Sequence, residues 1–157
     1  FFGGYVQFER PPQKAWQEIA VSAAGPGANL ASWALAASAL PLLAPALGYG
    51  DDNLVVLNAI NTFAFVSLLL GLFNLIPGFP LDGGHILRAA LTYVVSRRNA
   101  RMIAAYVGIG VAVLLALWAL SQPMIWTLFI SGLLGLAAWA ELQGARREPQ
   151  FDSRSNA

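Results

Sequence analysis

Apolar residues run along this chain in four long blocks, separated by short polar or glycine- and proline-rich breaks. The blocks lie near residues 18–47, 54–76, 102–120 and 124–141. Each is long enough to cross a hydrocarbon core, which takes about 20 mostly apolar residues. The first is punctuated by Gly25, Pro26, Gly27 and Pro41, a pattern that predicts a kinked or tilted helix. The second is cleaner and carries Asn58 and Asn61. The last two are joined by Ser121-Gln122-Pro123, a turn short enough to make them an antiparallel helical hairpin. Ahead of the first block, FFGGYVQFERPP holds a Gly3-Gly4 turn and the strand formers Tyr5, Val6 and Phe8, predicting a short β segment. Residues 148–157 are polar and read as a disordered tail behind a membrane-embedded domain over 1–147.

Composition fixes the environment of these blocks. The chain is 57% hydrophobic and only 11% charged, with mean hydropathy +0.60, whereas soluble domains carry about 25% charged residues. The expected fold is therefore an all-α membrane protein with about four transmembrane helices. Its nine basic residues are Arg10, Lys14, Arg88, Arg97, Arg98, Arg101, Arg146, Arg147 and Arg154, and a four-crossing topology puts all of them on one side. Lys and Arg are retained on the cytoplasmic side, which predicts that residues 1–14, 88–101 and 146–157 are cytoplasmic in a bacterial inner membrane. Asp51 and Asp52 fall on the other side. A wrong helix count would scatter the charges, so count and orientation support each other. The absence of cysteine excludes disulfides and thiolate-ligated metals. No interleaving of basic and aromatic residues points to nucleic acid, and the expected surroundings are a lipid bilayer. Nothing in the pattern sets an oligomeric state.

One stretch resists the membrane reading: FNLIPGFPLDGGHILRAA, residues 73–90, breaks the apolar pattern with two prolines, three glycines, Asp82 and the chain's one histidine. An embedded carboxylate costs about 2.5–3.5 kcal/mol on insertion scales and normally faces the protein interior. Pro77 and Pro80 forbid regular helix there, and Gly83-Gly84 permits a tight turn or close approach. Broken backbone at membrane depth survives only inside protein or beside a watery cavity. A re-entrant loop is thus expected, with Asp82 near the start of a helix running from His85 to Val95. Three roles for Asp82 remain open on these grounds. It caps that helix; it pairs with His85, three positions on, as a local metal site; or it is one ligand of a site that another segment completes.

NLIPGFPLDGG, Asn74 to Gly84, resembles the signature of the site-2 protease family of intramembrane zinc metalloproteases, with Asn74, Pro77, Asp82 and Gly83 in register. AAGPGANL at 23–30 is similar to the segment that opens the preceding helix of these proteases, and Gly3-Gly4 to the strand before it. The resemblance implies that Asp82 is the third protein ligand of a catalytic zinc. The other two would be the histidines of a His-Glu-x-x-His helix whose Glu is the general base. This chain has no such motif; on the resemblance it would lie upstream of Phe1, so that one of three ligands is present and this chain alone is inactive. The implied chemistry is hydrolysis of a peptide bond in a transmembrane protein substrate.

On the same resemblance Asn74 contacts substrate or the developing oxyanion, with a helix-end hydrogen bond as its ordinary alternative. Pro77, Pro80, Gly83 and Gly84 shape the loop that aims Asp82. His85 stays outside the ligand set, in a supporting hydrogen bond or in packing. Asn29 bonds between helices near the site, or satisfies backbone freed by Pro26. Gly108, Gly110, Gly132 and Gly135 are expected to let the last two helices pack closely. Trp16, Trp118, Trp126 and Trp139 are expected at span ends, where indoles favour the interface. The competing class is a noncatalytic membrane protein, either a degenerate homologue or a transporter-like subunit, that binds transmembrane partners.

Overall fold

A computed structural model describes residues 14–147 apart from 49 and 123. Among these residues the chain is wholly helical: α1 (Ala15–Leu47), α2 (Asp51–Asn74), α3 (Asp82–Leu91), α4 (Arg97–Ser121) and α5 (Ile125–Arg147). All but α3 are long and apolar enough to cross a membrane, and the chain is an integral membrane protein of four candidate spans. The strand expected around residues 3–8 and the tail over 148–157 lie outside the described residues.

The breaks between helices follow from local chemistry. Gly48, at φ 76°, ends α1 in a conformation that favours glycine, and its N–H bonds Ala44 O at 3.1 Å. Asp51 and Asp52 occupy the first turn of α2, where negative charge complements the helix dipole, and Asn53 Nδ2 donates to Leu47 O at 2.7 Å, fastening the turn. Ser96 caps α4 by accepting from the Asn99 N–H. Pro26, Pro41 and Pro45 all sit inside α1, which stays helical throughout.

Neighbouring pairs are α1 with α2, α1 with α3, α3 with α4, and α4 with α5. Two helical hairpins are thus bridged by the short α3 rather than packed side by side. The buried positions of α4 and α5 are almost all small: Ala100, Ala104, Ala105, Ala112, Ala119, Ser131, Ala138 and Ala145, with Leu142. Close backbone approach through small side chains is how helices associate where lipid removes the hydrophobic drive between them. Large apolar residues turn outward instead; Leu42 is 74% exposed and Leu136 69%, as lipid-facing surface should be.

The four glycines expected in the α4/α5 seam behave differently. Gly135 meets Ala112 in ordinary contact, Gly110 and Gly132 face open space, and Gly108 packs on the 75–81 turn, not on α5. Trp16, Trp118 and Trp126 are exposed near helix ends, whereas Trp139, also exposed, stands well inside α5 because that helix continues to Arg147.

Polar fastening gathers at one end of the molecule. Arg88 of α3 pairs with Glu18 of α1, its Nε at 3.0 Å. Arg101 of α4 pairs with Glu141 of α5 at 2.8 Å, and Arg98 Nε donates to Ala145 O at 3.2 Å. The starts of α1 and α4, the end of α5 and α3 itself therefore share one end, as the charge pattern anticipates.

Candidate metal and substrate site

The interrupted stretch folds as a compact turn between α2 and α3. Gly78 N–H bonds Ile76 O at 2.8 Å, Leu81 N–H bonds Gly78 O at 3.0 Å, and Gly84 N–H bonds Leu81 O at 2.9 Å. The Phe79–Pro80 peptide is cis. Pro77 and Pro80 are exposed, while Gly78 and Phe79 are buried, so the prolines shape the turn's outer side and the residues between them plug into the bundle. Phe79 N–H donates to Ala104 O on α4 at 3.4 Å. Its ring joins Ala104, Ala105, Ala138 and Leu142 in the buried core.

Glycines make this seating possible. A Cβ added at Gly84 would lie 2.5 Å from the Phe79 nitrogen, and one at Gly78 would lie 2.7 Å from Gly108 Cα. One at Gly83 would strike the Leu75 and Ile76 carbonyls, and one at Gly108 the Phe79 backbone. The end of α2, which carries Asn74, and the start of α3, which carries Asp82, are thereby folded against each other and against α4.

Helix α3 begins at Asp82 and ends at Leu91, three residues earlier at its start than His85 and four earlier at its end than Val95. Leu81 is the N-cap and makes no side-chain capping bond, so Asp82 stands in the first turn and is not the cap. Its half-buried carboxylate turns toward α1, where a Cβ at Gly25 would lie 3.3 Å from Asp82 Oδ2. The two sequence segments singled out above, 23–30 and 74–84, are therefore brought together at Gly25 and Asp82. Pro26 beside it is fully buried, and its carbonyl would lie 3.3 Å from a Cβ at Gly71 of α2. Asn29, half-buried, is one turn beyond Gly25 and on the same face of α1. Among the described residues no side-chain hydrogen bond or ion pair occupies Asp82, Asn74 or Asn29, so the helix-end bond considered for Asn74 is not formed.

His85 packs edge-on against the Phe79 ring, centroids 4.8 Å apart. Burial, and next the Arg88 cation, hold its imidazole below the usual value of 6.5, with Glu18, Glu141 and Asp82 partly opposing; it is neutral at pH 7. Arg88 also lies over Phe79, 5.8 Å from the centroid, so Glu18, Arg88, Phe79 and His85 form one contiguous brace behind α3. The sequence marks Gly25 only as a break in α1 and does not single out Gly78, Phe79 or the Glu18–Arg88 pair; opposite charges in so apolar a chain are the available signal for the last. Replacing Glu18 with Gln should lower stability by about 1–2 kcal/mol, between the worth of an exposed and of a buried pair. Thermal unfolding in detergent would read this, and the swap Glu18→Arg with Arg88→Glu should regain part of it.

Zinc enzymes use three protein donors and an open position. Among the described residues no group of three His, Cys, Asp or Glu side chains could hold a metal ion. Asp82 suits a donor, being a carboxylate with no internal partner beside a glycine wall, but these residues do not make a zinc site by themselves.

A helical membrane bundle with one acidic centre, set between a glycine-packed turn and a proline-bearing helix, is the class that fold and site define. The sequence profile of peptidase family M50 matches residues 1–117. A Synechocystis sp. protein provisionally named a zinc metalloprotease is 29% identical over 97% of this chain and 40% of its own length. A zinc metalloprotease of Methanocaldococcus jannaschii is 31% identical over 82% of this chain and 35% of its own. The structure of a site-2 protease from Methanocaldococcus jannaschii matches with TM-score 0.65 at 27% identity, over 87% of this chain and 59% of that one. The chain belongs to peptidase family M50, the site-2 protease family. It spans 40% and 35% of the length of these two named relatives.

Proposed function

We propose that this chain forms one wall of the active site of an intramembrane zinc metalloendopeptidase that hydrolyses peptide bonds in transmembrane protein substrates. The observation that carries the reading is Asp82, a half-buried carboxylate without an internal partner, aimed at Gly25 of α1. A carboxylate so placed in an apolar bundle calls for a cation or donor from outside the described residues. Asp82 is the aspartate ligand, and two histidines of a His-Glu-x-x-His helix on the full-length polypeptide complete the set. Zinc held there supplies Lewis-acid polarisation of the scissile carbonyl and acidifies water.

The remaining roles belong to this chain's own residues. Asn74, at the end of α2, donates an amide N–H to negative charge developing on the scissile carbonyl oxygen. Pro77, Pro80, Gly83 and Gly84 hold the turn that aims Asp82, and Asn29 offers a second amide on the face of α1 turned toward it. The 75–81 turn re-enters the bilayer from the cytoplasmic side, and residues 1–14, 88–101 and 146–157 are cytoplasmic in a bacterial inner membrane; the shared end of the Arg88, Arg98 and Arg101 contacts supports that orientation.

The test uses the full-length protein in proteoliposomes with a membrane-spanning reporter. Cleavage should stop when metal is chelated and return with added zinc, and Asn74→Ala should lower kcat by roughly 100-fold while leaving zinc content unchanged, the scale of losing one oxyanion donor. Cleavage unaffected by chelation would overturn the metalloprotease reading, and its complete absence with zinc bound would favour a noncatalytic membrane protein.

A further inference from the structure

Asp82 belongs to α3 yet faces α1, so its place depends on how those two helices sit along each other. Two contacts define that fit: Arg88 meets Glu18, and Asp82 meets the surface of Gly25. Glu18 lies seven residues before Gly25 on α1, and Arg88 six after Asp82 on α3, spans of about 10 Å and about 9 Å on helices that run antiparallel. The two contacts differ in kind. Gly25 offers only van der Waals contact, weak per atom pair and without the angular preference of a hydrogen bond, so it limits how near the carboxylate comes and not where along α1 it stands. The ion pair is directional. Nε and Nη2 of Arg88 both donate to Glu18 Oε1, Nε at 3.0 Å, and charge-assisted bonds of this kind are the strong ones. Among the described residues it is the one hydrogen-bonded or ionic link between α1 and α3.

Arg88 is held on a second side as well. Its guanidinium carbon stands 5.8 Å from the Phe79 ring centroid, and Phe79 is itself anchored on α4 through Ala104. One planar group thus ties α3 to α1 by charge and to the turn by its face, a double use that a lysine ammonium does not offer. We propose that Arg88, paired with Glu18, is a positioning residue: it sets the register of α3 on α1 and thereby the place from which the Asp82 carboxylate meets the metal. Neither residue of the pair touches the reacting atoms. The inference deepens the protease reading and rests on Asp82 being a zinc ligand. A donor displaced along α1 no longer meets an ion that two further ligands fix, so loss of the pair falls on metal affinity as well as on the fold.

The test compares zinc dissociation constants of full-length variants in detergent, by competition with a chelator of known affinity, at a temperature well below every thermal midpoint. Arg88→Gln and Glu18→Gln should each weaken zinc binding by about 10-fold or more, on the 10–100-fold scale of groups that orient metal ligands, and the swap Glu18→Arg with Arg88→Glu should regain part of the loss. Glu141→Gln is the control for stability alone. It breaks the Arg101–Glu141 pair, which is similarly exposed and lies at the same end of the molecule but joins α4 to α5, and it should lower the midpoint while leaving zinc affinity unchanged. Should Arg88→Gln fail to fold, Glu18→Gln, which keeps Arg88 beside Phe79, carries the measurement. Wild-type protein that binds no zinc would overturn the protease reading and this inference with it. Zinc bound by the wild type and held as tightly by Arg88→Gln and Glu18→Gln, or weakened as much by Glu141→Gln, would overturn the positioning role alone, as would a loss in Arg88→Gln that Glu18→Gln does not share.

Discussion

Asp82→Ala, introduced into the full-length protein, abolishes cleavage of a membrane-spanning reporter while leaving insertion and folding intact. The two halves of this expectation have separate physical grounds. Loss of activity follows from the ligand role: even residues that only orient metal ligands cost about 10–100-fold when removed, so removing a donor should exceed 100-fold and strip zinc from the purified protein. Retention of fold follows from the contacts. Among the described residues the Asp82 side chain holds no hydrogen bond or ion pair, so its removal orphans nothing and relieves the cost of an embedded carboxylate. Asp82→Asn keeps the shape and removes the charge, and should lose zinc as well. Metal content by mass spectrometry and reporter cleavage, measured beside the thermal midpoint in detergent, decide the matter. Full zinc occupancy in Asp82→Ala would sink the ligand assignment; a collapsed midpoint would mean the residue serves the fold.

The legible and illegible parts of the site divide along physical lines. Long apolar blocks announce helices because lipid leaves the backbone no other partner, and the four spans were readable to within a few residues, save that α4 already begins at Arg97 and α5 continues to Arg147. Asp82, Pro77, Pro80 and the Gly83-Gly84 pair were readable because each departs from its surroundings in a way that costs free energy. Gly25 was not: a glycine beside a proline in an apolar helix already has a local explanation, and only the fold reveals that it faces Asp82 Oδ2. Phe79 was hidden for the opposite reason, being one apolar residue among many; its place as the plug between α3 and α4 depends on contacts some 25 residues away in sequence, with Ala104 and Gly108. Glycine type alone misassigned Gly108, Gly110 and Gly132, because periodicity gives the face of a helix but not what lies opposite it.

That dependence on backbone contact leads to the second large effect. Gly108→Ala should destabilise the protein severely, and Gly110→Ala, two residues along the same helix, should not. At Gly108 a methyl would overlap the Phe79 carbonyl and lie 2.8 Å from its nitrogen, whereas at Gly110 it meets nothing within 4 Å. Both substitutions gain about 1 kcal/mol of intrinsic helix preference, so the contrast isolates the contact. Overpacking costs typically 1–3 kcal/mol and occasionally more. The upper part of that range or beyond is expected here, because the obstructing atoms are backbone in a turn pinned by Ala104 O and cannot rotate away. Gly84→Ala attacks the same junction from α3, 2.5 Å from the Phe79 nitrogen, and should behave alike. The turn would have to leave α4, carrying Asp82 off Gly25; since a 1 Å misplacement can cost about 100-fold, cleavage should fall even at temperatures where Gly108→Ala remains folded. Thermal midpoints of Gly108→Ala, Gly84→Ala and Gly110→Ala in one detergent provide the measurement. Equal midpoints for the Gly108 and Gly110 variants would show that α4 and the turn are not packed backbone to backbone, and the placement of Asp82 would lose its support.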